Sequence, residues 1–251
     1  MSLRKLLKSI FGQSPEDKGL RGENRVSKTL QAFDAIELEG HVLRNLYVPS
    51  GHGNTREIDL LCVTTKGLLV IESKNYAGYI FGDENQQNWT VTLYAGHGRT
   101  EKHRFFNPIW QNNTHINALK RYLGYDIPMF SIIVFSDRGE FKDLNYKESS
   151  ATICYRSELS WVLNDLWNKY PDVFTQERVD ATANKLSKLE DIDGSKKAAH
   201  LQGLNERYSN TEICPWCGGK LKVRTAKQGR NAGKQFYGCS NYPRCRYTKE
   251  L

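Results

Sequence analysis

The sequence predicts an α/β protein, a mixed sheet flanked by helices, followed by a small cysteine-rich domain. Two short runs rich in Ile, Leu and Val, 57–63 and 68–74, are joined by a tetrapeptide that ends in Gly, a pattern typical of a β-hairpin. Strand-like and helix-like segments alternate after this hairpin, which is typical of a mixed sheet covered by helices. Four of the six cysteines fall within the last 38 residues, a segment too short to fold by apolar burial alone.

The composition is that of an ordinary water-soluble protein, with 251 residues, 39% of them hydrophobic and 25% charged. No run of 18 or more apolar residues occurs, so no membrane-spanning helix is predicted. Cys62 and Cys154 lie in apolar, strand-like runs and are expected to be buried free thiols. Because the sequence starts with no secretory signal and needs no disulfides, we expect a cytoplasmic protein.

The N-terminal segment 1–18 is basic, and its first dozen residues are amphipathic. Its apolar and basic residues fall on opposite helical faces: Leu3, Leu6, Leu7 and Ile10 against Arg4, Lys5 and Lys8. Two interpretations stand, packing against the core and weak contact with a membrane surface. A second helical pattern, 20–33, carries Glu23 on its apolar stripe. The helix dipole holds this carboxylate there, or it points at a cation site; both interpretations stay open.

A first strand is predicted at 43–48, and a Gly-rich loop with a solvated His52 leads into the hairpin. If Val63 pairs with Leu68, Asp59 lies opposite Glu72 and Glu57 lies opposite Lys74, all on one face. Opposed carboxylates repel each other, and a bound divalent cation would remove that conflict.

This hairpin face predicts magnesium- or manganese-assisted phosphodiester hydrolysis. Asp59 and Glu72 would hold the hard cation through oxygen, and Lys74 would orient water or neutralise charge that develops on the phosphate. The alternative is a charged hairpin face that is merely exposed to solvent.

The rest of this domain is predicted as strands at 79–81 and 89–93, a helix from Asn107-Pro108 to about Tyr122, a strand at 129–136 buried on both faces and a strand at 151–155. Ser157 is expected to cap the next helix. Gln111 and His115 lie one turn apart on the helix predicted from Asn107 to about Tyr122. Two interpretations stand: they reach the hairpin site, or they are ordinary flanking polar residues. Helical pattern continues through 176–189 and resumes, weakly, up to Tyr208, followed by a polar linker at 209–212.

The last 38 residues predict a structural zinc site. Cys214 and Cys217, followed by two glycines, form a knuckle, and Cys239 and Cys245 supply a second pair of thiolates. Four thiolates close the coordination shell, so this zinc is expected to contribute to folding and not to catalysis.

The same segment carries the whole net charge of the chain. Nine Lys or Arg residues stand against one Glu in 214–251, a formal +8, so residues 1–213 sum to zero. Basic side chains bind phosphates and aromatic faces stack on bases in proteins that bind single strands. We therefore predict nucleic-acid contacts from Lys220, Lys222, Arg224, Arg230, Lys234, Tyr237, Tyr242, Arg244 and Arg246. Phe236, Tyr237, Tyr242 and Tyr247 interleave with these cations, and some of the four are expected to pack the small core, which leaves at most two free for stacking.

Residues 20–135 resemble the nuclease-related domain (NERD) family. The residues that carry the resemblance are Gly22-Glu23, Glu57-Ile58-Asp59, Val70 to Tyr76, Gly78, Trp89, Asn107-Pro108, Gln111-Asn112 and His115. The family looks like a branch of the restriction-endonuclease-like PD-(D/E)xK fold, which uses magnesium. The resemblance implies that Asp59, Glu72 and Lys74 are catalytic, with Glu23 and Gln111 as accessory residues. Ile58 stands where the motif has Pro, at a position that holds no metal.

Residues 213–247 resemble the C-terminal zinc ribbons of bacterial type IA topoisomerases, through Cys-Pro-x-Cys-Gly-Gly and Phe-Tyr-Gly-Cys-Ser-Asn-Tyr-Pro-x-Cys. Such ribbons bind single-stranded DNA. Together, the two resemblances predict a magnesium-dependent nuclease acting on DNA, with RNA as a second candidate partner. The alternative is a non-catalytic nucleic-acid-binding or scaffold protein with a vestigial nuclease site. The expected organisation is the segment 1–18, a nuclease-like domain 19–170, a helical extension and linker 171–212, and a zinc ribbon 213–251.

Overall fold

The computed structural model describes residues 40–51, 54–94, 99–191, 193–215, 217, 219–229, 231–243 and 245–251. The predictions for the segment 1–18, for the helix 20–33 with Glu23, and for His52, Arg230 and Arg244 lie outside the described residues. The chain divides into two compact units, one formed by the chain up to Pro49 together with Arg56–Asp191, and the other by Ser50–Thr55 together with Ile192–Leu251. The predicted domain boundaries stay predictions.

The first unit is built on two sheets, and the elements follow in chain order. They are β1 (Gly40–Gly51), β2 (Asn54–Thr64), β3 (Gly67–Lys74), β4 (Gly78–Asp83), β5 (Asn88–Tyr94), β6 (Thr100–Phe106), α1 (Pro108–Leu123), β7 (Met129–Phe135), β8 (Gly139–Asn145), β9 (Thr152–Tyr155), a short 3₁₀ turn (Arg156–Glu158), α2 (Leu159–Lys169) and α3 (Gln176–Ser187).

The larger sheet has the order β1-β2-β3-β7-β9. β2 and β3 are antiparallel, whereas β7 is parallel to both β3 and β9. The predicted mixed sheet flanked by helices is therefore confirmed. The turn that connects β2 and β3 is shorter than predicted, because Thr64 pairs with Gly67 and only Thr65 and Lys66 remain in the turn. Gly67 has φ +125°, a conformation that favours glycine.

Helices cover both faces of this sheet. Strand β7 shows why the central strands are apolar throughout: Ile132 and Val134 pack in one core cluster, Ile133 and Phe135 in another. Helix α2 packs on the cluster that contains Ile132 and Val134. Helices α1 and α3 pack on alternate residues of β2 and β3, such as Leu61 and Val70. The predicted burial of β7 on both faces is confirmed, as is the burial of Cys62 and Cys154 as free thiols.

The second sheet has the order β6-β5-β4-β8, with β8 parallel to β4 and the other pairs antiparallel. Its strands β4 and β5 are predicted, but β6 and β8 are missed because their sequences, TEKHRFF and GEFKDLN, are mostly polar. The predicted cap at Ser157 is wrong. Ser157 lies in the 3₁₀ turn and donates its backbone N–H to Asp137 Oδ1 at 2.9 Å, and α2 begins after it without a side-chain cap.

The second unit contains α4 (Ser195–Ser209) and a three-stranded antiparallel sheet of β10 (Leu221–Thr225), β11 (Gln235–Cys239) and β12 (Thr248–Glu250). Thr55 belongs to this unit, and its Oγ1 lies 2.7 Å from Nδ1 of His200 on α4. No helix in the described part of the chain is long and apolar enough to span a membrane.

Candidate active site and zinc site

The β2–β3 hairpin adopts the predicted register, with Val63 paired to Leu68 and Leu60 to Ile71. The cross-strand pairs of the hairpin run from Thr64–Gly67 at the turn to Leu60–Ile71. Beyond this point Asp59 Oδ2 accepts a hydrogen bond from the backbone N–H of Ser73 at 3.0 Å. The predicted position of Asp59 opposite Glu72 lies one residue beyond these pairs, in the same register. The carboxylate takes a backbone donor of the opposite strand, which fixes it at the end of the hairpin.

Glu72 is the centre of a buried polar cluster at the end of β3. Its side chain is 3% exposed. Oε1 accepts hydrogen bonds from Lys74 Nζ at 2.8 Å and from Gln111 Nε2 at 2.8 Å. Lys74 Nζ also donates to Gln111 Oε1 at 2.9 Å, which fixes the orientation of the amide. Three predicted residues, Glu72, Lys74 and Gln111, are thus brought together in one hydrogen-bonded triangle.

Helix α1 places Gln111 in this triangle. The helix begins at Asn107, whose Oδ1 accepts from the backbone N–H of Ile109 at 2.9 Å and whose Nδ2 donates to the carbonyls of residues 83, 84 and 86. One turn further on, the buried Asn112 donates to Val70 O and Ser131 Oγ, both at 2.9 Å. These bonds pin the helix onto the sheet beside β3. Asn107 and Asn112 therefore position the site from outside it, while Gln111 is part of it.

The other oxygen of Glu72 has no such partner. Among the described residues none donates a hydrogen bond to Oε2, although the atom is buried. His115 Nδ1 is the nearby nitrogen, at 3.6 Å, which is beyond hydrogen-bonding distance. His115 is itself 4% exposed and lies one turn after Gln111 on the same helix. A buried carboxylate oxygen without a donor is costly, so this atom is available to a ligand.

Burial and like charge raise the pKa of the carboxyl groups. Burial first, and then the nearby charge of Asp59, raise the pKa of Glu72 to about 7, against the opposing effect of Lys74. Burial also raises the pKa of Asp59, although the Ser73 N–H and Lys74 act in the other direction. Glu57 adds negative charge near both groups. The site thus concentrates more negative charge than its one lysine offsets.

Tyr47 is a neighbour of the site that sequence reasoning missed. Its hydroxyl donates to Glu57 Oε1 at 2.8 Å, and burial together with this carboxylate raises the pKa of the phenol. Tyr47 lies on β1, which has no charged motif to mark it. The role of Asn112 in holding α1 against the sheet also depends on contacts distant in sequence, with Val70 and Ser131.

The donor set fits a hard divalent cation. Asp59 and Glu72 are oxygen ligands of the kind that magnesium and manganese prefer, and Glu72 Oε2 is a buried oxygen without a donor among the described residues. A cation at this point would offset the charge that raises the pKa of Glu72. Lys74, 15% exposed at the side chain, would remain as a fixed positive charge beside it.

The four cysteines of the C-terminal unit converge. Their Sγ atoms all lie within 4.8 Å of one another, with Cys214 3.7 Å from Cys245 and Cys217 3.3 Å from Cys239. Thiolates on one tetrahedral zinc ion lie about 3.8 Å apart, given a zinc–sulfur bond of about 2.3 Å. Asn241 donates its backbone N–H to Cys239 Sγ and its Nδ2 to Cys217 Sγ, both at 3.4 Å. The cluster therefore has the geometry of a structural zinc site with supporting donors.

The predicted nucleic-acid contacts of the ribbon fall into two groups. Four cations are exposed and available to phosphates: Lys220, Lys222, Lys234 and Arg246. Tyr242 is 60% exposed, Tyr237 is half-buried, and Tyr247 packs in the core beside the cysteines. Arg224 is engaged within the ribbon, since it donates to Cys239 O at 3.1 Å and lies 5.7 Å from the Tyr242 ring centroid.

The chain combines a mixed sheet that carries a buried carboxylate–lysine site with a four-cysteine ribbon, and both parts match known families. Residues 18–136 match the nuclease-related domain, and residues 211–251 match the topoisomerase DNA-binding C4 zinc finger. The chain therefore contains a nuclease-related domain and a topoisomerase-type zinc ribbon, as both resemblances predict.

The chain is also similar to individual proteins. An uncharacterized protein of Bacillus anthracis is 26% identical over 196 residues, which cover 78% of this chain and 87% of that protein. DNA topoisomerase 1 of Archaeoglobus fulgidus is 58% identical over 63 residues, 25% of this chain and 9% of the topoisomerase. An uncharacterized protein of Escherichia coli is 45% identical over 42 residues, 17% of this chain and 21% of that protein. No solved structure matches.

Proposed function

We propose that the protein is a metal-dependent nuclease that acts on DNA and is held on single-stranded DNA by its zinc ribbon. The observation that carries this proposal is Glu72. Its buried carboxylate keeps one oxygen bonded to Lys74 and Gln111 and leaves the other, Oε2, without a hydrogen-bond donor among the described residues.

Asp59 and Glu72 are the residues that would hold magnesium or manganese. Such a cation, when bound, polarises the phosphate and lowers the pKa of a bound water. The Ser73 N–H keeps the Asp59 carboxylate oriented, and Gln111 and Lys74 keep Glu72 oriented.

Lys74 supplies the positive charge in the reaction. Its ammonium group would neutralise charge as a water oxygen attacks phosphorus and the ester P–O bond breaks, leaving a phosphate on one end and a hydroxyl on the other. Because Lys74 is mostly buried, its interaction with the phosphate is screened less than a surface contact would be.

The zinc ribbon supports the DNA part of the proposal. It matches a DNA-binding zinc finger and carries exposed lysines on a segment with a formal charge of +8. Topoisomerase 1 of Archaeoglobus fulgidus shares this part of the chain. Thiolate ligands bind zinc in a reducing environment, in keeping with the proposed cytoplasmic location.

The test is cleavage of labelled single-stranded, double-stranded and branched DNA, and of RNA, with and without magnesium. We expect Asp59→Asn, Glu72→Gln and Lys74→Ala each to abolish cleavage, whereas Asp165→Asn, an exposed carboxylate on α2, should leave it unchanged. Metal binding is measured separately, as the rise in melting temperature that magnesium gives the wild type but not Glu72→Gln. Equal cleavage by all variants would refute the site. Absence of cleavage with intact DNA binding would favour the non-catalytic alternative.

A further inference from the structure

The second sheet presents an exposed outer face with an ordered arrangement of side chains. Cross-strand partners project from the same face, and the register aligns residues of β4, β5 and β6 in two adjacent rows. These rows are Tyr79, Thr92 and Lys102, and Phe81, Thr90 and Arg104. The opposite face of the same strands carries the core residues Ile80, Trp89 and Val91.

Two large aromatic rings are exposed on β4, an inner strand of this sheet. Tyr79 is 46% and Phe81 38% exposed. Lys142 Nζ lies 4.6 Å from the Tyr79 ring centroid and bonds to Glu140, so the ring is flanked on the β8 side. On the other side β5 contributes threonines, which are too short to cover the rings. Two neighbouring rings exposed on an inner strand are unusual, because aromatic side chains on such strands are generally buried.

Charge is distributed unequally across this face. Lys102 and Arg104 are exposed on the edge strand β6, and neither forms an ion pair with a described residue. Three acidic side chains of the described strands belong to this face: Glu140 and Asp143 lie on β8 at the opposite edge, and Asp83 lies at the end of β4, where it accepts a hydrogen bond from Asn145 Nδ2 at 2.8 Å. Neighbouring strands lie about 4.8 Å apart, so the cations stand about 10 Å from the strand that carries the rings.

We propose that this face is a binding platform for single-stranded nucleic acid, with bases stacked on Tyr79 and Phe81 and the phosphates running along Lys102 and Arg104. The rings are two residues apart, about 7 Å along the strand, and every base offers a face for stacking. Bases of a duplex are already stacked inside the helix, so the arrangement selects unpaired strands. A polyanion complements the basic edge formed by the exposed Lys102 and Arg104. This inference deepens the proposed function, because it assigns the substrate contacts of the nuclease-related domain.

The experiment measures binding of the full-length protein to a fluorescent oligothymidylate by anisotropy, across a salt series and without magnesium. The Tyr79→Ala/Phe81→Ala variant should bind about tenfold or more weakly at every salt concentration, with an unchanged slope of log affinity against log salt. The Lys102→Gln/Arg104→Gln variant should flatten that slope by about 1.4, or 0.7 for each phosphate contact. Trp161→Ala, which removes a 69% exposed ring from α2, is the matched control and should bind like the wild type.

Conservative variants separate stacking from folding. Tyr79→Trp and Phe81→Tyr keep a ring and should retain wild-type affinity, and an oligonucleotide without bases should be insensitive to Tyr79→Ala/Phe81→Ala. Unchanged affinity in that double variant, or an equal loss in Trp161→Ala, would overturn the platform. The platform and the nuclease are tested independently, since binding is measured without metal: a protein that does not cleave DNA but loses affinity in the aromatic variant would refute only the catalytic proposal.

Discussion

Removal of a buried, hydrogen-bonded charge usually destabilises a folded protein. Replacing Glu72 by Gln should instead stabilise the protein relative to the wild type, to an extent that increases with pH. The folded protein holds the Glu72 proton more tightly than the unfolded chain does, because the pKa rises from 4.5 to about 7. The wild type therefore loses stability as pH rises through this interval, while the Gln variant has no proton to lose at this position.

The magnitude follows from the two pKa values. At about 1.4 kcal/mol for each pH unit, the full cost of ionising Glu72 in the folded protein is about 3 kcal/mol. Because the unfolded chain is already partly ionised at pH 5, about 2 to 3 kcal/mol of this cost develops between pH 5 and pH 8.5. The free energy of unfolding of Glu72→Gln should thus gain about 2 to 3 kcal/mol on the wild type over this range, whatever the packing cost of the amide.

The assay is urea unfolding at both pH values, without added magnesium, followed by tryptophan fluorescence. Four of the five tryptophans lie between residues 89 and 167, so the signal reports mainly the first compact unit, which contains Glu72. Magnesium at about 100 times its dissociation constant should restore about 2.7 kcal/mol to the wild type at pH 8.5 and leave the variant unchanged. A difference between the two proteins that stays constant from pH 5 to pH 8.5 would show that Glu72 is not held with a raised pKa.

Three further predictions concern the remainder of the chain. Elemental analysis should find one zinc per chain and none in a Cys214→Ser/Cys239→Ser variant; zinc-free wild type with disulfide-bonded cysteines would contradict the site. Asn107→Ala should destabilise the nuclease-related domain by about 2 kcal/mol in urea unfolding, because it removes the helix cap and three part-buried hydrogen bonds to the carbonyls of residues 83, 84 and 86; a loss below about 0.5 kcal/mol would show that these bonds are dispensable. Truncation near Asn210 should give weak DNA binding with a shallow salt slope by fluorescence anisotropy, because the +8 charge is lost; an unchanged slope would show that the ribbon is not the main DNA anchor.

Much of the site is local in sequence and is predicted for that reason. The hairpin register depends on two adjacent strands and a short turn, so pairing Val63 with Leu68 follows from the apolar pattern alone. The four cysteines are likewise marked by their spacing, which a tetrahedral ion requires. In contrast, β6 and β8 are the two edge strands of the second sheet, which pair through backbone hydrogen bonds, and their mostly polar side chains give no apolar pattern to mark them.

The sequence by itself determined the chemistry that this chain carries: which carboxylates and which lysine share one hairpin, which cysteines share one metal, and where the positive charge lies. Only the tertiary structure decided how these groups are used. It brings Gln111 to Glu72 across 39 positions of sequence, buries Glu72 so that its pKa rises, and engages Arg224 inside the ribbon. The physical reason is that desolvation and hydrogen-bond partners depend on what packs around a side chain, whereas the charge and ligand type of a residue are fixed by its identity.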